Sequence, residues 1–344
     1  MKVVIAAGGS GGHLYPALSL AEHLKKSLNC HITLINSTKE IEKKIVEGTS
    51  FLDEIISLDI TGLHRKISYK NIITFYKLFI SIIKSRAILK KIEPNVVIGL
   101  GGYVSFPVLI SASKYHTFIH EQNVIPGLVN KVLSKVVDNV FISFTESEKY
   151  FKKNTILIKN PRVLDLKYDV TFSNRILIVG GSQGSKVIND AVIKQYESLK
   201  NMEITLVTGT RYYDEVKKEI DETDNFKIVS YLDHFREELI HSRLIVCRAG
   251  ATTISEIIEL EKPSILIPSS YVSNDHQTLN AKVLSDASAG LLLEESSIDT
   301  LSNIIKDLDK DKLFTMKENI KIIKRRDYLD VISIIKERVG ELNE

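Results

Sequence analysis

His13 closes a run of Gly8, Gly9, Ser10, Gly11 and Gly12 that begins where the apolar stretch 3–7 ends. Without side chains in the way, backbone N–H groups of such a segment approach an anion closely, and a following helix adds its dipole. A second segment of this kind, Gly180, Gly181, Ser182, Gln183, Gly184, Ser185 and Lys186, follows the apolar stretch 176–179. Neither has a standard nucleotide-loop spacing. Leu14 stands where GxGxxG requires a glycine, and the second loop has one residue too few between its glycines for a P-loop, its lysine following a serine. Each loop alone could be a tight strand–helix turn; two in matching positions favour anion binding. His13 falls in the first turn of the helix that follows. There the positive end of the helix dipole disfavours imidazolium, which suits a neutral imidazole that accepts a proton. A structural hydrogen-bonding histidine is the alternative.

Other polar clusters also follow apolar runs. His120, Glu121, Gln122 and Asn123 come directly after 117–119, more polar groups than a turn requires, and they suggest substrate contact. A structural His120–Glu121 pair is the competing reading. In the segment 247–258, Thr253 at a helix N-cap with Glu256 three residues on would form a capping box, or would hold a phosphate and a sugar hydroxyl. The segment 274–281, with His276 and Gln277, concentrates hydrogen-bonding groups suited to a sugar. No metal site is expected. The D-x-D spacing in 307–312 lies among lysines in a helical pattern, no HExxH is present, and two cysteines alone build no zinc site.

The elements that must position these groups alternate along the whole chain. Short apolar runs at 3–7, 31–36, 96–99, 117–120, 140–143 and 155–158, then 176–180, 204–208, 227–231, 244–247 and 264–268, are separated by helical patterns. Continuous apolar strands between helices predict parallel sheets covered on both faces. Both halves open with strand, glycine loop and helix, so two doubly wound domains are expected, divided within 160–174. Ligands of such sheets bind beyond the carboxyl ends of the strands, where the polar clusters fall. A terminal helix is expected over 325–339. A longer one over 69–92 sets Lys70, Thr74, Lys77, Ser81, Lys84 and Lys91 on one narrow polar stripe beside a wide apolar arc. It is either buried against a sheet with its lysines in water, or a membrane-facing helix whose Lys66, Arg86, Lys90 and Lys91 reach anionic lipid.

Composition is that of a globular protein: 344 residues, 44% hydrophobic, 26% charged, net charge +3. No global field argues for nucleic acid. Cys30 and Cys247 lie far apart beside apolar runs, which suits buried thiols in a reducing compartment. The run 3–7 is too short for a signal-peptide core, and no stretch reaches the roughly 18 apolar residues of a spanning helix.

Taken together, the motifs resemble the bacterial MurG family. They are Gly8 to His13 with Pro16 and Ala17, GGYVSFP at 101–107, HEQN at 120–123, NP at 160–161, GGSQG at 180–184, CRAGATTISE at 247–256 and DHQTLNA at 275–281, in family order over most of the chain. The resemblance implies a GT-B α/β fold of two Rossmann-like domains facing across a cleft, with no cofactor. It implies inverting transfer of N-acetylglucosamine from UDP-N-acetylglucosamine to undecaprenyl-diphosphate-linked muramoyl-pentapeptide (lipid I) in peptidoglycan synthesis. It divides the chain into an acceptor- and membrane-binding domain at 1–161, a UDP-sugar domain at 162–325 and a terminal helix at 326–344. On the donor side it places Ser10, Gly11, Gly12, Asn123, Arg162, Ser182, Gln183, Leu232, Thr253, Glu256, His276 and Gln277. On the acceptor side it places Gly9, His13, Gly101, Gly102 and Tyr103, with His13 the base and Glu121 a second candidate. Ile72, Phe75, Phe79, Ile82, Lys84 and Arg86 would meet an anionic membrane from its cytoplasmic face. One departure is NPRV, in which Arg162 directly follows Pro161 where the family has NPV before its arginine. A GT-B enzyme with a diacylglycerol acceptor, a UDP-N-acetylglucosamine 2-epimerase and a non-catalytic nucleotide-sugar binder are the alternatives.

Overall fold

A computed structural model describes residues 1–9, 11–62, 70–153, 155–166, 173–181, 183–270 and 275–340. The chain divides into two compact units, Met1–Asp165 with Asp327–Glu344, and Leu166–Arg326.

The first unit is built on strands β1 (Lys2–Ala6), β2 (His31–Ser37), β3 (Glu54–Leu58), β4 (Val96–Gly99), β5 (His116–Glu121), β6 (Asn139–Ile142) and β7 (Thr155–Leu157). All pair in parallel in the order β3-β2-β1-β4-β5-β6-β7. Between them run helices α1 (Gly11–Leu28), α2 (Glu40–Val46), α3 (Lys70–Ile92), α4 (Gly102–Ile110) and α5 (Leu128–Leu133). One apolar run serves two cores because successive side chains point to opposite faces. Val3 and Ile5 pack with Leu14, Leu18 and Leu24 of α1, while Val4 and Ala6 pack with Val97, Val104 and Leu89.

In the second unit the strands are β8 (Ile176–Val179), β9 (Ile204–Val207), β10 (Phe226–Val229), β11 (Leu244–Cys247), β12 (Ser264–Leu266) and β13 (Leu291–Leu292). They lie in the order β10-β9-β8-β11-β12-β13, again all parallel. Its helices are α6 (Lys186–Lys194), α7 (Tyr196–Leu199), α8 (Tyr213–Glu219), α9 (Phe235–His241), α10 (Ala251–Glu259), α11 (His276–Ser285), α12 (Leu301–Asp307) and α13 (Lys310–Lys324). Both units are thus doubly wound Rossmann-like sheets, each reversing direction beside its first strand.

Four local expectations need correction. β3 and β13 lie outside every apolar run read from the sequence. β3 is an alternating edge segment with Glu54 in it, and β13 spans two residues. The terminal helix α14 runs Val331–Gly340 and does not start at Arg325; Val331, Ile332, Ile334 and Ile335 enter the core of the first unit. The D-x-D segment is a helix boundary, where Asp309 caps α13 by accepting from the Lys312 N–H at 2.8 Å. Both cysteines are buried and free, and burial pushes the Cys247 thiol up to about 12.

α3 differs most from a simple amphipathic reading. Thr74, Ser81 and Ser85 are buried, whereas Ile72, Ile73, Phe75, Tyr76, Phe79 and Ile83 are exposed. Part of the stripe read as polar surface is therefore the inner face. Small side chains let α3 lie close to its neighbours, and Ser111 donates to the Ile82 carbonyl at 3.2 Å. Of the residues expected on the membrane face, Ile82 is only half-exposed, while Lys84 and Arg86 are open to solvent. Lys77 is drawn to Asp59 at 2.7 Å. Lys66 lies outside the described residues. Among the described residues, no helix is long and apolar enough to cross a membrane.

Phe118 and Phe141 stack at 4.9 Å between centroids in the core of the first unit. Phe118→Ala should cost about 3–5 kcal/mol in chemical denaturation, since the cavity cannot close between sheet and helix. Ile55→Ala, on the exposed edge strand β3, should cost no more than about 1 kcal/mol.

Candidate active site

At the carboxyl end of β1 the backbone turns through Gly9 at φ 98° before α1 starts at Gly11. The turn after β4 presses against it. A Cβ on Gly102, at φ 75°, would lie 1.8 Å from the Gly8 carbonyl oxygen, so no other residue fits there without moving the loop. A Cβ on Gly101 would come within 2.7 Å of the His13 ring. Gly101 and Gly102 thus make room, one for the imidazole and the other for the first glycine loop. Tyr103 lies beneath Gly9, its ring 3.1 Å from where a Cβ would stand, and Lys39 sits 5.2 Å over the same ring. His13 is half-buried in the first turn of α1, with Gly12 exposed beside it. Ser10 lies outside the described residues.

The HEQN segment ends β5 and is mostly interior. His120, Glu121 and Gln122 are buried, and only Asn123 is half-exposed. His120 does not pair with Glu121; its Nε2 meets the Ser143 hydroxyl at 2.8 Å. Burial, with a smaller effect from the charge of His13, pushes its pKa down to about 3, so it is neutral. The Glu121 carboxylate is saturated. Oε1 accepts from the Asn123 N–H and side chain, and Oε2 from the Gly127 N–H and the Asn130 side chain, at 2.9–3.2 Å. Burial pushes this carboxyl up while those four donors pull it back. A carboxylate so occupied organises the loop 122–130.

Arg162 follows Asn160, whose side chain caps the short turn Pro161–Val163 by accepting from the Arg162 N–H at 3.0 Å. Its guanidinium lies 5.5 Å over the Tyr15 ring, and Tyr15 borders Gly11. This arginine belongs to the first unit, not to the domain at 162–325.

The second unit repeats the close approach of backbones. A Cβ on Gly184, at φ 75°, would lie 2.1 Å from the Thr208 carbonyl oxygen, and one on Gly209 would lie 2.5 Å from the Gly184 Cα. Ser185 caps α6, and Gln183 is exposed; Ser182 lies outside the described residues. α10 begins at Ala251 with Gly250 as its N-cap and no side-chain cap bond. Thr253 is therefore in the first turn and Glu256 in the second, so no capping box forms. Glu256 is buried, with Arg236 at 3.6 Å. Leu232 lies between β10 and α9, its side chain half-buried. His276 opens α11, and the Gln277 Oε1 accepts from the Ser269 N–H at 2.8 Å.

Two functional candidates were missed. Arg248 donates to the Ser185 hydroxyl at 2.7 Å and to the Ile267 and Pro268 carbonyls at 3.1 Å, and pairs with Glu295 at 2.6 Å. It ties the start of α6 to the segment leading to α11. An arginine at a strand end, two residues before a glycine, was its visible signal. The other is Glu42, which accepts from the Gly9 N–H at 2.7 Å and the Ser37 N–H at 2.9 Å. It sits in the charged helical segment 40–46, which no sequence motif marks. Among the described residues, no three His, Cys, Asp or Glu side chains gather as metal ligands.

Two Rossmann-like sheets, each with a glycine loop at its switch point, make the GT-B glycosyltransferase fold. Residues 3–142 match the glycosyltransferase family 28 N-terminal domain, and 175–332 the glycosyltransferase family 28 C-terminal domain. The UDP-N-acetylglucosamine--N-acetylmuramyl-(pentapeptide) pyrophosphoryl-undecaprenol N-acetylglucosamine transferase of Halalkalibacterium halodurans is 38% identical over 90% of each chain. Its counterpart in Alkaliphilus metalliredigens is 35% identical over 98% of this chain and 100% of its own. The crystal structure of Acinetobacter baumannii MurG superposes with a TM-score of 0.75 over 99% of each chain at 23% identity. The chain belongs to the MurG family of N-acetylglucosamine transferases.

The depressed His120 pKa has a testable sign. A histidine at about 3 in the folded state and 6.5 unfolded contributes stability fully present above pH 6.5, lost as pH falls toward 3. In urea denaturation, the stability difference between the wild type and His120→Gln should shrink by about 2 kcal/mol from pH 7.5 to pH 5. A pH-independent difference would mean that the imidazole is not held neutral.

Proposed function

We propose that the protein transfers N-acetylglucosamine from UDP-N-acetylglucosamine to the 4-hydroxyl of lipid I, forming a β-1,4 bond with inversion. The observation that carries this reading is 38% identity to a named transferase over 90% of both chains. Support comes from a glycine loop at the switch point of each sheet. His13 takes the proton of the acceptor hydroxyl, the oxygen attacks the anomeric carbon, and the bond to UDP breaks with both electrons leaving on the diphosphate. The seat that Gly101 leaves for the imidazole supports that role. Charge on the departing diphosphate is met by backbone amides and a helix start.

The second unit holds the donor. Ser182 and Gln183 lie near the diphosphate, Thr253 at the start of α10, Glu256 at the ribose, the Leu232 backbone at the uracil, and His276 and Gln277 at the sugar. In the first unit the Gly9 segment and Gly101 to Tyr103 border the acceptor diphosphate, and the family resemblance gives Ser10, Gly11, Gly12, Asn123 and Arg162 donor roles. The exposed Ile72, Phe75 and Phe79 of α3, with Lys84 and Arg86, meet an anionic membrane surface at its cytoplasmic face.

Incubation with radiolabelled UDP-N-acetylglucosamine and a lipid I analogue in EDTA should move label into the lipid. Epimerised donor without transfer, or label moving only to diacylglycerol, would overturn the assignment. His13→Ala should lower kcat by about 10²–10⁴-fold and leave UDP binding unchanged; near-normal turnover with the same pH profile would remove His13 as the base. Sedimentation with anionic vesicles should bring down the protein at low salt and release it at high salt. Phe75→Glu with Phe79→Glu should abolish that binding, and no binding by the wild type would remove the membrane contact.

A further inference from the structure

Glu42 is a buried carboxylate that neither the reaction above nor the sequence motifs use. Local helix geometry explains only half of its bonding. As the third residue of α2 it reaches back to the N–H of Ser37, a variant of the familiar carboxylate cap at a helix start. Its other oxygen accepts at 2.7 Å from Gly9, which is 33 positions away in sequence and belongs to a different strand–helix turn. That bond joins the ends of β1 and β2.

The surroundings leave the loop little freedom. A Cβ on Gly8 would meet Val104 at 2.6 Å and the Glu42 Oε2 at 2.9 Å, and the Gly8 carbonyl faces Gly102. Gly9 is held between the carboxylate and the Tyr103 ring, at a φ of 98° that favours glycine. Two residues later α1 begins, and His13 stands in its first turn. The direction of the Gly9 N–H also matters: an amide aimed at a carboxylate is not available to a phosphate. Gly11 and Gly12, at the helix start, are left to meet an anion.

We propose that Glu42 is a positioning residue of this site, its carboxylate fixing Gly9 and, through it, the start of α1 and the His13 imidazole. This rests on the transferase reading above. Because Gly9 and His13 are the acceptor-side residues of this loop, displacing them affects acceptor turnover, while the residues assigned to the uridine diphosphate in the second unit are untouched.

The test combines kinetics with amide exchange on ¹⁵N-glycine-labelled protein. In the wild type, the Gly9 amide should exchange slowly and keep its shift when UDP-N-acetylglucosamine and a short-chain lipid I analogue are added together, while Gly11 and Gly12 shift. Glu42→Gln keeps one acceptor oxygen and Glu42→Ala none. Acceptor kcat/KM should fall about 10-fold in the first and about 100-fold in the second, with the Kd for UDP alone unchanged. Gly9 exchange should quicken in the same order. Equal losses in UDP binding and acceptor kcat/KM that track the fall in Tm would reduce Glu42 to a structural role and overturn the proposal. So would a freely exchanging Gly9 amide in the wild type, a measurement that decides the matter even if neither variant folds. An inactive wild type with a protected Gly9 amide would overturn the transferase reading while supporting the hold of Glu42 on the loop.

Discussion

The fold of the first unit depends on a close approach between two pieces of backbone. The Gly8 carbonyl oxygen lies 1.8 Å from the point where a side chain at position 102 would begin. A parallel sheet places the ends of β1 and β4 side by side, but the loops that leave them must pass within van der Waals contact. Only a residue without a Cβ permits that at φ 75°. The second unit meets the same demand with Gly184 against the Thr208 carbonyl and Gly209 against Gly184. In each unit, backbone amides and helix starts are thereby brought to a surface that side chains would otherwise fill.

Such thin loops have few side chains of their own to hold them in place, and buried or half-buried polar groups supply that support. Glu42 takes the amide of Gly9, Glu121 takes four donors from 123–130, and Arg248 bridges Ser185, two carbonyls and Glu295. A buried ionisable group without partners would cost several kcal/mol, so each must be satisfied, and satisfaction fixes geometry. Position therefore does not reveal chemistry. Glu121 sits at a strand end beside candidate substrate groups, yet its acceptor capacity is consumed within the protein.

The sequence made the sheets, both glycine loops and the doubly wound order legible, because continuous apolar runs and strand–glycine–helix punctuation are local signals. β3 was not legible, since an edge strand with glutamate in it carries no such run. The start of α10 was misread because Thr252 and Thr253 are good capping residues, whereas the glycine before them caps the helix by its backbone alone. What Glu42 and Arg248 hold was not legible for another reason. Their partners lie 33 and 63 positions away, and no local pattern encodes such a bond. For the site residues, the sequence could bring together the types but not say which of their atoms were already engaged.

α3 shows how far patterning can mislead when a helix has two apolar obligations. A helix packing only on its own domain would turn Phe75 and Phe79 inward, at a gain of about 1.5–3 kcal/mol for each side chain buried. Here Thr74, Ser81 and Ser85 occupy the inner face, and Phe75 and Phe79 stand 57% and 61% exposed. The fold forgoes that gain, and an exposed apolar face of this kind marks a contact surface. Basic residues at its edge, Lys84 and Arg86 among them, fit an anionic boundary better than another protein's core. The residues that weaken the unit as an isolated domain are the same ones through which the proposed membrane contact acts.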